Sequence, residues 1–431
     1  MKTYFKFDEL RTTYKKEFIG AFSTFSAMVY IIFVHPSILS TAGLSFGAVM
    51  TVTILITAFS TFLMGMLGKV PFAVAPAMGV SAYFSFTLIQ KNHLAASIGL
   101  FIIFLAALCI LFMNFFHLRK KILNSIPDEL LIGITGGIGL FLIAVGLKQI
   151  GIVTLNGYGF ITLNSVDPAI LTLSALGLFL IFLFQRLRWD AAFILSILIN
   201  WIISCAFGLS NLDGIFAFPP SIKDTFFLLE LPKTFSYEFF KGFLSIFLVT
   251  LFDSSAGLIS LKKSLPKEAQ NFDMQKALYP DAIGSLTGSL LGTSSLAIHL
   301  ESMAGIHGGA RSGFASIIVS GLFLSCLFFY PLASSVPTFA SAPVIISIGL
   351  LMARQLKELL HLPWIKKITP FTTAIIMPLT LSLYQGFKLG FILLGLIGII
   401  FPKKMPISKT IFVFFILFAF EQILEISHRY F

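Results

Sequence analysis

Two acidic residues stand in sequence that is otherwise apolar enough to cross a bilayer. Asp253 lies within FLVTLFDSSAGLIS and Glu301 within LLGTSSLAIHLESMAG. A carboxylate at mid-bilayer costs at least about 2.5–3.5 kcal/mol even on the lenient insertion scale, so each needs a partner or a task. The structural explanation is a hydrogen bond from Ser254, Ser255 or Ser302. The functional explanation divides two roles: one carboxylate holds a polar ligand, the other takes up and releases a proton. Removal from water disfavours a charged carboxylate, which suits proton exchange near neutral pH. His35, in VHPSIL, and His299, two residues before Glu301, are secondary candidates. Asp281 reads as a helix cap, His307 and Arg311 at the cytoplasmic end of the tenth segment as topology markers or a gate, and Lys148 as a snorkelling span end.

Enzyme signatures are missing. GITGGIGLF (133–141) is glycine-rich, but it follows no strand and lacks the Lys-Ser/Thr ending of a phosphate loop. His299-Leu300-Glu301 does not have metalloprotease spacing, and no serine elbow appears. Cys109, Cys205 and Cys326 sit singly in apolar segments, without metal-type spacing. No metal or organic cofactor is expected. No nucleotide-binding domain is present to burn ATP, which leaves an ion gradient, H⁺ or Na⁺, as the energy source.

These residues must be positioned by membrane-spanning helices. The chain is 57% hydrophobic and 11% charged, too little polar surface for a soluble protein of 431 residues. Apolar stretches recur at 18–40, 46–68, 70–89, 94–113, 127–147, 168–185 and 190–209, then at 239–261, 277–291, 293–309, 312–331, 340–356, 368–384 and 386–402. Helices suit them, because lipid cannot solvate free backbone groups. A further apolar segment, 409–427, reads as a fifteenth crossing, an interfacial helix, or a sign that 368–402 is not two spans. The N-terminus is polar for 17 residues and shows no cleavable leader.

Basic residues mark alternate loops. They fall at Lys2–Lys16, Lys69, Arg119–Lys121, Arg186 and Arg188, then at Lys262–Lys276, Arg311, Arg354–Lys367, and Lys403 with Lys404. Opposite loops carry almost none, except the long stretch 210–238. This predicts fourteen crossings with the N-terminus cytoplasmic. It also accounts for the formal charge of +11 without nucleic acid, for which no extended basic surface exists.

The two sets of seven share a layout. Each has a long first span, a third segment interrupted by small residues, and a Pro-led fifth segment (Pro127, Pro343). Seven is odd, so the second set starts from the opposite face: an inverted repeat, as in many secondary transporters. The broken segments read VPFAVAPAMGVSAYFSF (70–86) and LLGTSSLAIHLESMAG (290–305). Extended backbone followed by a helix N-terminus frames a polar ligand, although small residues also serve close helix packing.

Across almost the whole chain these runs resemble nucleobase transporters of the xanthine/uracil permease superfamily, specifically the AzgA-like purine permease branch. The runs are FSTFSAMVYIIFVHPSIL (22–39), APAMGVSAYFSFT (75–87), GGIGLFLIAVGLKQIGIV (136–153) and LFDSSAGLISL (251–261), then PDAIGSLTGSLLGTSS and HLESMAGIHGGARSGF (280–314), PLASSVPTFASAPVIISIGLLM (331–352) and IIMPLTLSLYQGFKLGFI (375–392). The resemblance implies an all-α polytopic fold with core parts at 18–113 and 239–331 and gate parts at 127–209 and 340–427. It implies proton-coupled purine uptake through the cell membrane, commonly by a homodimer. By motif, Asp253 takes the proton-coupling position and Glu301 the base-binding one.

The ligand site is expected to draw on Glu301, Ser81, Ala82, Thr250, Thr293, Ser294 and Ser295, framed by backbone at 75–81 and 293–296, with His299, His35 and Ser254 as secondary candidates. The chain departs from the branch at several of these positions. Ser81 stands for the usual Asn, Ala77 for a Gly and Thr250 for an Asp. Ala297, Ile298 and His299 replace T-S-Y, and His35 replaces the Asn of V-N-P. Two directional partners of a purine edge are gone, so the base stays open. A small anion or a non-purine solute carried by the same fold is the alternative, and a non-transporting membrane protein the remote one.

Overall fold

A computed structural model describes the chain except residues 124, 156–160, 212–213, 403–404, 406–407 and 431. The charges read at Lys403 and Lys404 therefore lie outside the described residues. The first half comprises α1 (Tyr14–Met28), α2 (Ile31–Ser40), α3 (Phe46–Leu63), β1 (Val74–Pro76), α4 (Met78–Ala82), α5 (Ala96–Phe115), α6 (Leu118–Leu123), α7 (Asp128–Ile150), a short hairpin β2 (Val153–Leu155) and β3 (Ile161–Leu163), α8 (Pro168–Arg186) and α9 (Ala192–Ala206). The second comprises α10 (Tyr237–Ser264), α11 (Met274–Ala277), α12 (Tyr279–Leu291), β4 (Leu296–Ile298), α13 (Ser302–His307), α14 (Gly313–Ser325), α15 (Tyr330–Ser334), α16 (Thr338–Ala353), α17 (Trp364–Thr380), α18 (Leu383–Ile400) and α19 (Lys409–Tyr430). Among the described residues, nine helical stretches are long and apolar enough to span a bilayer.

Helix ends follow local chemistry. Thr13, Ser236 and Ser312 accept backbone N–H bonds at the starts of α1, α10 and α14. Asp167 does the same for α8, whose first residue is Pro168, where the missing proline N–H is no loss. The third and tenth apolar segments are the exceptions. Each opens extended and turns helical only afterwards, α4 widening into π-helix as far as Lys91. Their extended parts, β1 and β4, pair antiparallel with Ala75 opposite Ala297. Buried strands that short need outside partners. Thr61 Oγ1 donates to Val74 O and accepts from Val74 N, both at 3.0 Å, while Ser302 Oγ accepts from Ala73 N.

Several charges differ from their sequence reading. Arg119 is not a loop cation; it is wholly buried and ion-paired with Asp281, which therefore is not a helix cap. Burial of either charge alone would be costly, and the two-pronged pairing offsets that cost. Lys148 donates to Gln90 Oε1 at 3.0 Å. Glu17 is also buried, accepting from Thr12 and from the N–H groups of Arg311 and Ser312 ahead of α14. The polar N-terminus is anchored rather than loose, because Phe5 and Phe7 pack on Phe314. The 409–427 segment forms α19 against α18, with Phe414 and Phe418 on Phe391, while 364–400 forms two separate helices.

Packing sorts the helices by partner. α5 packs on α10 and α12, α3 on α12 and α14, and α1 on α13 and α14. α7 packs on α16 and α17, and α8 on α9 and α16.

Candidate functional site

A cavity of about 420 Å³ lies between these two groups of helices. Tyr30, Ala77, Met78, Gly79, Asp253, His299 and Glu301 line one side; Ile138, Leu142, Phe193 and Ile348 line the other. Trp189 and Asp190 border both this cavity and a second, outer one along Phe18 and Phe22.

The polar end is built by chain breaks. Tyr30 occupies the one between α1 and α2, and its hydroxyl donates to Glu301 Oε1 at 2.5 Å. Glu301 lies between β4 and α13, where the β1–β4 pairing ends. Its Oε2 is 3.2 Å from His299 Nδ1, and His299 Nε2 is 3.2 Å from Pro76 O. Asp253 reaches the same cavity from α10, and among the described residues no side chain or backbone group hydrogen-bonds to it. Met78 and Gly79 open α4, and the first N–H groups of a helix have no intrahelical acceptor. A side-chain carbon at Gly79 would lie 2.8 Å from Ile138. The arrangement offers acceptors, a donor and apolar flanks: a suitable cleft for a flat heterocycle with polar edges.

The expected ligand contacts divide. Asp253, His299 and Glu301 line the cavity. Ser81, Ala82, Thr250, Thr293, Ser294 and Ser295 do not; they are buried behind the strand pair. Ser81 Oγ lies 2.7 Å from Ser294 Oγ, and Thr250 Oγ1 2.6 Å from Ser295 Oγ. Small hydroxyls find each other in a dry interior, where an unpaired polar group is costly. His35 joins that layer through Thr53 at 2.9 Å and Ser294 at 3.0 Å. Ser254 Oγ accepts from Ile298 N rather than bonding to its neighbour Asp253. From these two segments the cavity lining takes in 77–79 and 297–301, beside the 75–81 and 293–296 expected from the sequence.

Tyr30 and Phe193 were not legible beforehand. An aromatic residue in an apolar span looks like any core residue; only the proline six positions on, Pro36, hints at an irregular helix. No group of His, Cys, Asp and Glu suited to a metal occurs among the described residues.

The sequence matches the model of the Xan_ur_permease family, described as a permease family, over residues 15–389. It is 35% identical to the adenine permease AdeP of Escherichia coli (strain K12), covering 99% of this chain and 97% of that protein. Identity is 34% to the guanine/hypoxanthine permease PbuG of Bacillus subtilis (strain 168), covering 97% and 99%. Among solved structures, the transmembrane domain of the cyanobacterial bicarbonate transporter BicA aligns with a TM-score of 0.67 at 14% identity, over 86% of this chain and 96% of that one. Murine Slc26a9, an anion transporter in the inward-facing state, aligns with a TM-score of 0.68 at 13% identity, over 90% and 68%. At such identity these two structures speak for the fold alone.

Proposed function

The chain belongs to the xanthine/uracil permease family, as an integral multi-pass membrane transporter rather than an enzyme, and from that premise we propose that it is a proton-coupled importer of a purine base such as hypoxanthine, guanine or adenine. Glu301 binds the base, Asp253 exchanges the coupling proton, and the apolar flanks hold the ring faces. One observation carries this reading: Asp253 and Glu301 border a single cavity between the interrupted segments. Ser81, Thr250, Ser294 and Ser295 would act through the backbone that their hydroxyls brace, with Ala82 and Thr293 packed beside them. Three carboxylates border the cavity, Asp190 being the third, and they would repel a small anion.

The architecture suits alternating access. We read fourteen spans as two inverted sets of seven, which the antiparallel pairing of β1 with β4 supports. The core would comprise 18–113 and 239–331, moving against a gate of 127–209 and 340–427. The protein would sit in the cell membrane with its N-terminus cytoplasmic, as a homodimer. The coupling ion is H⁺, with Na⁺ the alternative that sodium replacement distinguishes.

The test is uptake of radiolabelled purines by a transport-deficient host. Wild type should accumulate a base and lose accumulation with a protonophore. Glu301→Gln should lose uptake, and Asp253→Asn should keep base exchange without accumulation. Uptake like wild type by both variants would remove the mechanism.

A further inference from the structure

His299 is held between two acceptors. Its Nε2 lies 3.2 Å from the carbonyl oxygen of Pro76, and its Nδ1 3.2 Å from Glu301 Oε2. A carbonyl only accepts, so the first contact is a hydrogen bond only when Nε2 carries hydrogen. The opposite residue in the strand pair, Leu296, gives its N–H to Ser285 Oγ at 2.7 Å instead. One further proton then bridges Nδ1 and Oε2. It rests on nitrogen, as imidazolium with carboxylate, or on oxygen, as imidazole with carboxylic acid. Net charge is the same in both forms. Without that proton the ring keeps one hydrogen for two acceptors, so either the Pro76 or the Glu301 contact is given up and the imidazole is no longer held at both ends.

We infer that His299 and Glu301 share one exchangeable proton, and that its presence fixes Glu301 in the orientation that binds substrate. His299 is then a positioning residue, and the inference rests on the reading of Glu301 as the base-binding group. Glu301, Tyr30 and, from α10, Asp253 border the cavity beside it, as does Asp190 ahead of α9. His35 of α2 approaches from behind through Ser294. Asp253 has no hydrogen-bonded partner among these groups, but it faces the same cavity, so its charge and that of the pair act on each other across it. A proton that orients the binding group and a base that occupies it must favour each other equally.

The test is equilibrium binding of [14C]adenine and [14C]hypoxanthine to purified full-length protein between about pH 5.5 and 8.5, the range in which imidazole exchanges protons. Wild-type dissociation constants should rise with pH, by up to about tenfold per unit on the steep limb. His299→Gln keeps a donor beside Glu301 but removes the imidazole that shares the proton, so its profile should be clearly shallower than that of wild type. A flat wild-type profile, or a His299→Gln profile parallel to wild type, overturns the inference while leaving base binding intact. If the wild type binds neither base at any pH, the base reading falls first and this inference falls with it.

Discussion

Arg119 and Asp281 close a two-pronged ion pair, Nη1 to Oδ1 at 3.2 Å and Nη2 to Oδ2 at 2.9 Å, with neither side chain exposed. Arg119 Nε also donates to Ser255 Oγ, two residues beyond Asp253 on α10. The pair thus fastens α6, between α5 and α7, to the helices behind the cavity. Removing one partner of a buried pair strands the other, at about 3–5 kcal/mol. Asp281→Leu should lower the thermal unfolding temperature in detergent strongly, and Arg119→Met with Asp281→Leu should recover part of the loss.

Gly257 lets α10 touch β4. A side-chain carbon there would stand 2.5 Å from Ile298 O, one turn beyond Asp253. Overpacking a tight contact costs about 1–3 kcal/mol or displaces its neighbours. Gly257→Val should therefore part Asp253 from Glu301 and cut base uptake at least roughly tenfold. Size-exclusion chromatography should still show a folded protein.

Tyr30 offers a direct probe of how Glu301 is aimed. Hydrogen bonds to charged groups are worth about 1.5–3 kcal/mol. Tyr30→Phe should thus weaken base binding by about tenfold or more, while the apolar ring still packs on Phe193 at a centroid distance of 5.1 Å. Isothermal titration would measure it.

The C-terminal helix contributes an ion pair in which Lys388 is buried and Glu421 partly so. Lys388 of α18 lies 3.4 Å from Glu421 Oε2 of α19, and the Tyr237 hydroxyl of α10 donates to Oε1. Glu421→Ala and Lys388→Met should each lower the unfolding temperature. Their double variant should lose less than the sum, with a coupling of about 0.5–3 kcal/mol.

The nine long apolar helices among the described residues were legible because lipid imposes length and hydropathy on any segment that crosses it. The breaks in the third and tenth segments were legible too, from small residues and Pro76. Which atoms face the cavity was not. Ser81 and Thr250 look like ligand groups in sequence, yet each finds a hydroxyl from the 294–295 stretch, 213 and 45 positions along the chain respectively. Tyr30 reaches Glu301 across 271 positions, a contact that local sequence does not carry. Arg119 reads as one more loop cation beside Lys120 and Lys121. Its burial depends on Asp281, which only the fold brings near.

Binding of [14C]adenine and [14C]hypoxanthine to purified wild type and Glu301→Gln, at one fixed acidic pH, tests the central claim most directly. The account predicts saturable binding by wild type and a loss of affinity of about a hundredfold or more in the variant, because a site built to pair with a polar edge discriminates strongly once its partner is changed. Equal affinity in the two proteins would contradict it.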